Sequence, residues 1–189
     1  MLLEAIERMP AVIKFFAPVN EATIQKLMAA VDAQVAAGAR ELTLLLSTSG
    51  GSVFYGLSAY NYLKGLPLEL TTHNFGVVES IGVPMYCSGK HRLCAPQARF
   101  LLHPVTMNFS AGASYEEAQL LEKLRSLRVD TENFAKVVSA NTTRTTRQVV
   151  AAMRGRASLD ADEARDWGLV HTIRQELFAA GAEVTAISS

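Results

Sequence analysis

The chain has 189 residues, 49% of them hydrophobic and 19% charged, with 18 basic side chains against 18 acidic ones. That length and apolar content fit one domain over residues 1–189 with a substantial core, and they exclude a disordered chain. A net charge of zero removes the electrostatic drive toward nucleic acid or an anionic membrane surface, and no run approaches the roughly 18 apolar residues that span a bilayer.

The N-terminal stretch carries Glu4 and Glu7, so it does not read as a signal peptide, and a cytoplasmic location is expected. Ala11 to Phe16 is a candidate strand. Asn20 can cap a helix whose apolar positions Ile24, Leu27, Met28, Val31 and Val35 share one face, with Gly38 as its stop. Leu42 to Leu46 has the continuous apolar character of a strand covered on both faces. Ser49-Gly50-Gly51 then turns into a helix over Ser52 to Lys64, with Val53, Leu57, Tyr60 and Leu63 inward.

The same order repeats. Leu68 to Phe75 predicts a strand, Ser80 to Ser88 a helix ending at Gly89, and His91 to Ala95 and Arg99 to His103 two strands around Pro96-Gln97. The remainder reads as mostly helical: Tyr115 to Ala140, Thr145 to Arg154 and Asp162 to Trp167, before Leu169 to Ile173 returns as a strand. Alternating strands and helices indicate the α/β class. Cys87 and Cys94 sit in apolar company and lack the spacing of a metal site, so buried reduced thiols are expected, with no metal and no cofactor.

Three pieces bear chemistry. Adjacent glycines after a buried strand let the backbone take φ > 0 and approach a ligand with free N–H groups, although an ordinary β–α turn has the same residues. Ser80, between Gly76 and Gly82, opens the predicted α-helix. Taken alone it reads first as a helix N-cap, and Val78 and Glu79 depart from the G-x-S-x-G elbow. The N–H of Ile81 would point along the helix axis and could share an oxyanion with Gly51. His103 ends an apolar strand before Pro104, as a satisfied core histidine or as a base; His73, His91 and His171 lie among turn or surface-like residues with no hydroxyl nearby in the pattern. A hydroxyl, an imidazole and a place for negative charge are the minimum for acyl transfer.

The order and spacing of these pieces resemble the Clp protease proteolytic subunit family of the crotonase superfamily, over roughly Val12 to Ile173. Ser47-Thr48-Ser49-Gly50-Gly51-Ser52-Val53 is similar to that family's N-S-P-G-G-x-V turn. The 29 residues from Gly51 to Ser80 suit its distance from oxyanion glycine to nucleophile. Arg92-Leu93-Cys94-Ala95-Pro96 resembles R-F-C-L-P, and Arg99-Phe100-Leu101-Leu102-His103 resembles R-x-M-I-H. Leu159 to Ala164 and Trp167 to Val170 resemble the superfamily's closing helix and strand.

The resemblance implies a crotonase/Clp-protease-like fold of repeated β-β-α units with a protruding long helix. It implies a serine endopeptidase with Ser80 as nucleophile, His103 as general base, and Gly51 and Ile81 as oxyanion-hole donors. It further implies homo-oligomeric rings acting on peptides or unfolded proteins. Arg156 falls where the family has its catalytic aspartate, which leaves the third triad member unknown; Asp160, the nearest acid, suits a helix N-cap. An AAA+ unfoldase partner belongs to the family pattern, but the short stretch before Ala11 argues against that docking. A catalytically weak or inactive partner subunit and a crotonase-type acyl-CoA enzyme are the alternatives.

Overall fold

A computed structural model describes residues 11–188. Strands β1 (Ala11–Phe16), β2 (Glu41–Thr48) and β3 (Glu69–Glu79) are parallel neighbours, with Ala11 opposite Leu42 and Glu41 opposite Glu69. Parallel neighbours need crossovers, and helices α1 (Glu21–Ala36) and α2 (Val53–Lys64) supply them. The helix expected after Asn20 starts there for the expected reason. The Asn20 side chain accepts the Thr23 N–H at 3.0 Å, and the Thr23 hydroxyl accepts the Asn20 N–H at 3.1 Å. Gly38 follows the helix at φ 80°.

Several elements differ from the sequence expectation: the strand expected over Arg99 to His103 ends at Leu101, and the one expected over Leu169 to Ile173 begins only at Thr172. β3 runs to Glu79 rather than stopping at Phe75: its pairing with β2 is interrupted by a bulge around Gly76, whose N–H donates to the Asn74 side chain at 3.0 Å, and resumes with Val78 opposite Thr48. The following helix is shorter than expected, α3 (Gly82–Tyr86), with Ile81 rather than Ser80 at its N-cap position. Two strands lacked a sequence signal: β6 (Ser158–Leu159), only two residues long, and β8 (Val184–Ser188), largely exposed and paired with β1 at the sheet edge.

β3 is forked. Its first half pairs with β4 (His91–Cys94), Thr71 opposite His91, and its second half pairs with β5 (Arg99–Leu101), Val77 opposite Arg99. The Pro96-Gln97 turn takes up the two-residue register shift. Buried Asn74 fills the gap: its amide donates to the Arg99 carbonyl at 2.9 Å, and its own carbonyl accepts the Ala95 N–H at 2.8 Å. This fork lets β5 run beside the end of β3, where the chemistry-bearing residues lie.

The C-terminal half adds α4 (Glu117–Ala140), α5 (Thr146–Arg154), α6 (Ala161–Asp166) and β7 (Thr172–Ile173). In α4 only Phe134, Ala135 and Val138 are buried, while Leu120, Leu121 and Leu124 near its start are exposed. The core is one cluster that includes Ile13, Phe15, Leu44, Leu46, Tyr86, Phe100 and Leu102. Arg92 is buried with it and donates to the carbonyls of Leu169 (2.7 Å), Asn141 (2.8 Å), Gly168 (3.0 Å) and Gly89 (3.4 Å), tying β4 to the end of α4 and to the segment after α6.

Candidate active site

Ser80 stands where β3 ends, at φ 54°. Arg156, at 53°, is the other non-glycine residue with positive φ among the described residues. Left-handed backbone at a serine is strained by about 1–3 kcal/mol and persists only where its surroundings impose it. Here the surroundings are explicit. The Ser80 N–H donates to the Leu101 carbonyl at 2.8 Å, and the Ser80 carbonyl accepts the Val83 N–H at 2.9 Å. The expectation of a capping serine is thereby corrected: Ser80 occupies a sharp strand-to-helix corner, and its hydroxyl makes no hydrogen bond among the described residues.

The glycine turn lies against this corner. Gly50 and Gly51 have φ 79° and 147°. A Cβ on Gly50 would fall 2.6 Å from the Ser80 Cβ, and one on Gly51 would fall 2.2 Å from the Val19 carbonyl oxygen. Val19 clamps the turn from the end of β1: its N–H donates to the Gly50 carbonyl at 2.7 Å, and its carbonyl accepts the Ser52 N–H at 2.8 Å. The Gly50 N–H is used by the Thr48 hydroxyl at 3.1 Å. Among the described residues the Gly51 N–H, one residue on from the contact with Ser80, and the Ile81 N–H, one residue after Ser80, make no turn or cap hydrogen bond. Val19 escaped the sequence reading because it contributes only backbone atoms.

His103 lies two residues beyond β5. Because β3 and β5 are parallel and Glu79 is opposite Leu101, His103 leaves the sheet at the same end as Ser80. Its Nδ1 is 2.8 Å from the Pro104 carbonyl oxygen. A carbonyl only accepts, so Nδ1–H donates, and in the neutral ring that tautomer leaves the lone pair on Nε2. No carboxylate forms an ion pair with this ring, and no direct hydrogen bond joins Nε2 to the Ser80 hydroxyl, among the described residues. Catalytic contacts of this kind commonly tighten only when substrate binds.

Arg156 precedes the strand that pairs with the one leading to His103. β5 and β6 are antiparallel, with Phe100 opposite Leu159 and Leu101 opposite Ser158, and the Leu102 N–H donates to the Ala157 carbonyl at 2.9 Å. Arg156 and His103 each lie one residue beyond this last hydrogen bond, and Arg156, at φ 53°, is not itself part of the ladder. Its side chain is exposed and has no ion-pair partner among the described residues. Asp160 is the N-cap of α6, accepting the Glu163 N–H at 2.8 Å, as expected.

The other titratable groups stay out of this corner. His73 is not a turn or surface residue: it is fully buried in β3, its Nε2 3.1 Å from the Arg174 carbonyl, its Nδ1 unpartnered, and burial lowers its pKa. Cys87 and Cys94 are buried free thiols, each pushed up to about 12 chiefly by burial. Among the described residues no group of side chains could hold a metal ion, and no helix is long and apolar enough to cross a membrane.

The chain matches the family model described as Clp protease over residues 6–176. It is 28% identical over 162 residues to the ATP-dependent Clp protease proteolytic subunit 3 of Rhodococcus jostii, covering 85% of this chain and 76% of that protein. It is 30% identical over 165 residues to the ATP-dependent Clp protease proteolytic subunit 1 of Leifsonia xyli, covering 85% and 78%. Its fold superposes on that of a ClpP1 mutant from Listeria monocytogenes with a TM-score of 0.77 at 15% identity, covering 87% of this chain and 91% of the other. With nearly the whole chain inside the family model and the crotonase/Clp-protease-like fold observed, this chain belongs to the Clp protease family.

Proposed function

We propose that the chain is a serine endopeptidase resembling the Clp proteolytic subunit, acting on peptides or unfolded proteins as one domain within a homo-oligomeric ring. Ser80 attacks the scissile carbonyl while His103 Nε2 takes the hydroxyl proton. The N–H groups of Gly51 and Ile81 donate to the oxygen of the tetrahedral intermediate. The imidazolium then protonates the leaving amine, and water repeats the sequence on the acyl-enzyme. The observation that carries this reading is the strained Ser80 corner, held at φ 54° against a glycine turn with a spare N–H.

The orienting group of this scheme is the Pro104 carbonyl, which fixes the His103 tautomer as a carboxylate would but brings no full charge to the imidazolium. With Arg156, like His103, one residue beyond the Leu102–Ala157 hydrogen bond, a slower enzyme than a complete triad gives is the expected consequence; loss of the acid costs about 10⁴ in kcat elsewhere. The same observation favours a second reading, a catalytically weak or inactive subunit that fills a ring. Hydrolysis of a fluorogenic peptide by the purified chain separates the two. Turnover lost in both Ser80→Ala and His103→Ala supports the peptidase, and turnover equal to that of Ser80→Ala supports the inactive subunit.

A further inference from the structure

Glu79, immediately before the corner, is a residue the proposed chemistry does not use. It lines an open groove of about 370 Å³ walled by Phe16, Ala17, Pro18 and Val77, with Ser49 at its edge. The groove therefore runs along the strand ends that position the glycine turn: Ser49 leads into Gly50, and Pro18 leads into the clamping Val19. The Glu79 side chain is only about a quarter exposed. It accepts no hydrogen bond among the described residues, and its nearest cation is the Arg99 guanidinium at 3.9 Å, itself well exposed and beyond hydrogen-bond reach. With its ion pair to Arg99 long and exposed, the carboxylate keeps acceptor capacity for a closer donor, and apolar walls leading to an anion suit a long aliphatic stem with a cationic head.

We propose that this groove binds a lysine or arginine side chain of the peptide substrate, its stem against Phe16 and Val77 and its charge on Glu79, with the Ser49 hydroxyl as a second acceptor. The inference rests on the peptidase reading and names a substrate preference for that same site. Charge complementarity commits it to a basic side chain: an acidic one would meet Glu79, and an aliphatic one would leave the carboxylate with the exposed Arg99 guanidinium, 3.9 Å away, as its ion-pair partner.

The test is made in the Ser80→Ala protein, so turnover does not enter the readout. Fluorescein-labelled peptides carrying one lysine at successive positions are compared by anisotropy with norleucine at the same positions. At least one lysine position is expected to bind about tenfold tighter than norleucine, a difference of about 1.4 kcal/mol. That preference should vanish in Ser80→Ala/Glu79→Gln and pass to a glutamate-bearing peptide in Ser80→Ala/Glu79→Lys. Equal affinity for lysine and norleucine throughout, or a lysine preference that survives Glu79→Gln, overturns the proposal. The peptidase reading fails on a different result, an absence of turnover in the chain with Ser80 intact.

Discussion

His103 and Arg156 each lie one residue beyond the Leu102–Ala157 hydrogen bond that closes the antiparallel pairing of Phe100 with Leu159 and Leu101 with Ser158. A cation at that position opposes the imidazolium formed when His103 takes a proton. Replacing it with a carboxylate should do the reverse. Arg156→Asp is expected to raise kcat for peptide hydrolysis about tenfold or more, and Arg156→Gln only a few-fold, because Arg156 is exposed and its field is screened. Aspartate also tolerates the φ of 53° at this position better than most residues. Steady-state kinetics of the two variants check the order Asp above Gln above Arg.

The glycine turn is predicted to be intolerant of a single methyl. At Gly51 a Cβ would fall 2.2 Å from the Val19 oxygen at a φ of 147°. Gly51→Ala should therefore displace the free N–H and lower kcat about 10²-fold or more while KM moves less, as for loss of an oxyanion donor. A proportional rise in KM with kcat unchanged would assign the turn to substrate binding alone.

Much of the fold was legible because local chemistry and tertiary context agree. Asn20 and Gly38 bound α1 as their types require, and the apolar run of β2 is buried as such runs are. The Ser80 corner was less so. Gly76 reads as a strand breaker, so β3 seemed to end early and Ser80 to open a helix; the Leu101 carbonyl, distant in sequence, receives the Ser80 N–H and helps hold it in its strained conformation. The burial of His73 depends on the C-terminal segment whose Arg174 carbonyl it meets. The Val19 clamp and the Pro104 acceptor are backbone groups, which no residue type announces. Arg156 was visible in the sequence as a departure, but its place one residue beyond the Leu102–Ala157 hydrogen bond needed β6, a strand too short to leave a pattern.

Arg92 anchors the second half of the domain. Arg92→Met keeps the stem but leaves four carbonyls, of Leu169, Asn141, Gly168 and Gly89, without their donor. A loss of about 3 kcal/mol or more is expected. For a chain of this size that lowers Tm by roughly 6–12 °C, measurable by calorimetry.

Stability should fall in mild acid. The buried imidazole of His73 has a pKa below its ordinary value of 6.5, first because burial disfavours its charged form. The unfolded chain thus binds a proton before the folded one does, so this contribution is complete above about pH 6.5 and is lost as pH falls toward the folded value. His171, also lowered chiefly by burial, acts with the same sign. Denaturant titrations at about pH 7 and pH 5 should show the loss, and His73→Gln should reduce it. An unchanged pH dependence in that variant would remove His73 as its source.

The most direct measurement is covalent trapping with a fluorophosphonate, followed by peptide mass mapping of the adduct. The account predicts one modified residue, Ser80, with labelling abolished in Ser80→Ala and strongly slowed in His103→Ala. Labelling at another serine, or none in a correctly folded chain, would contradict it.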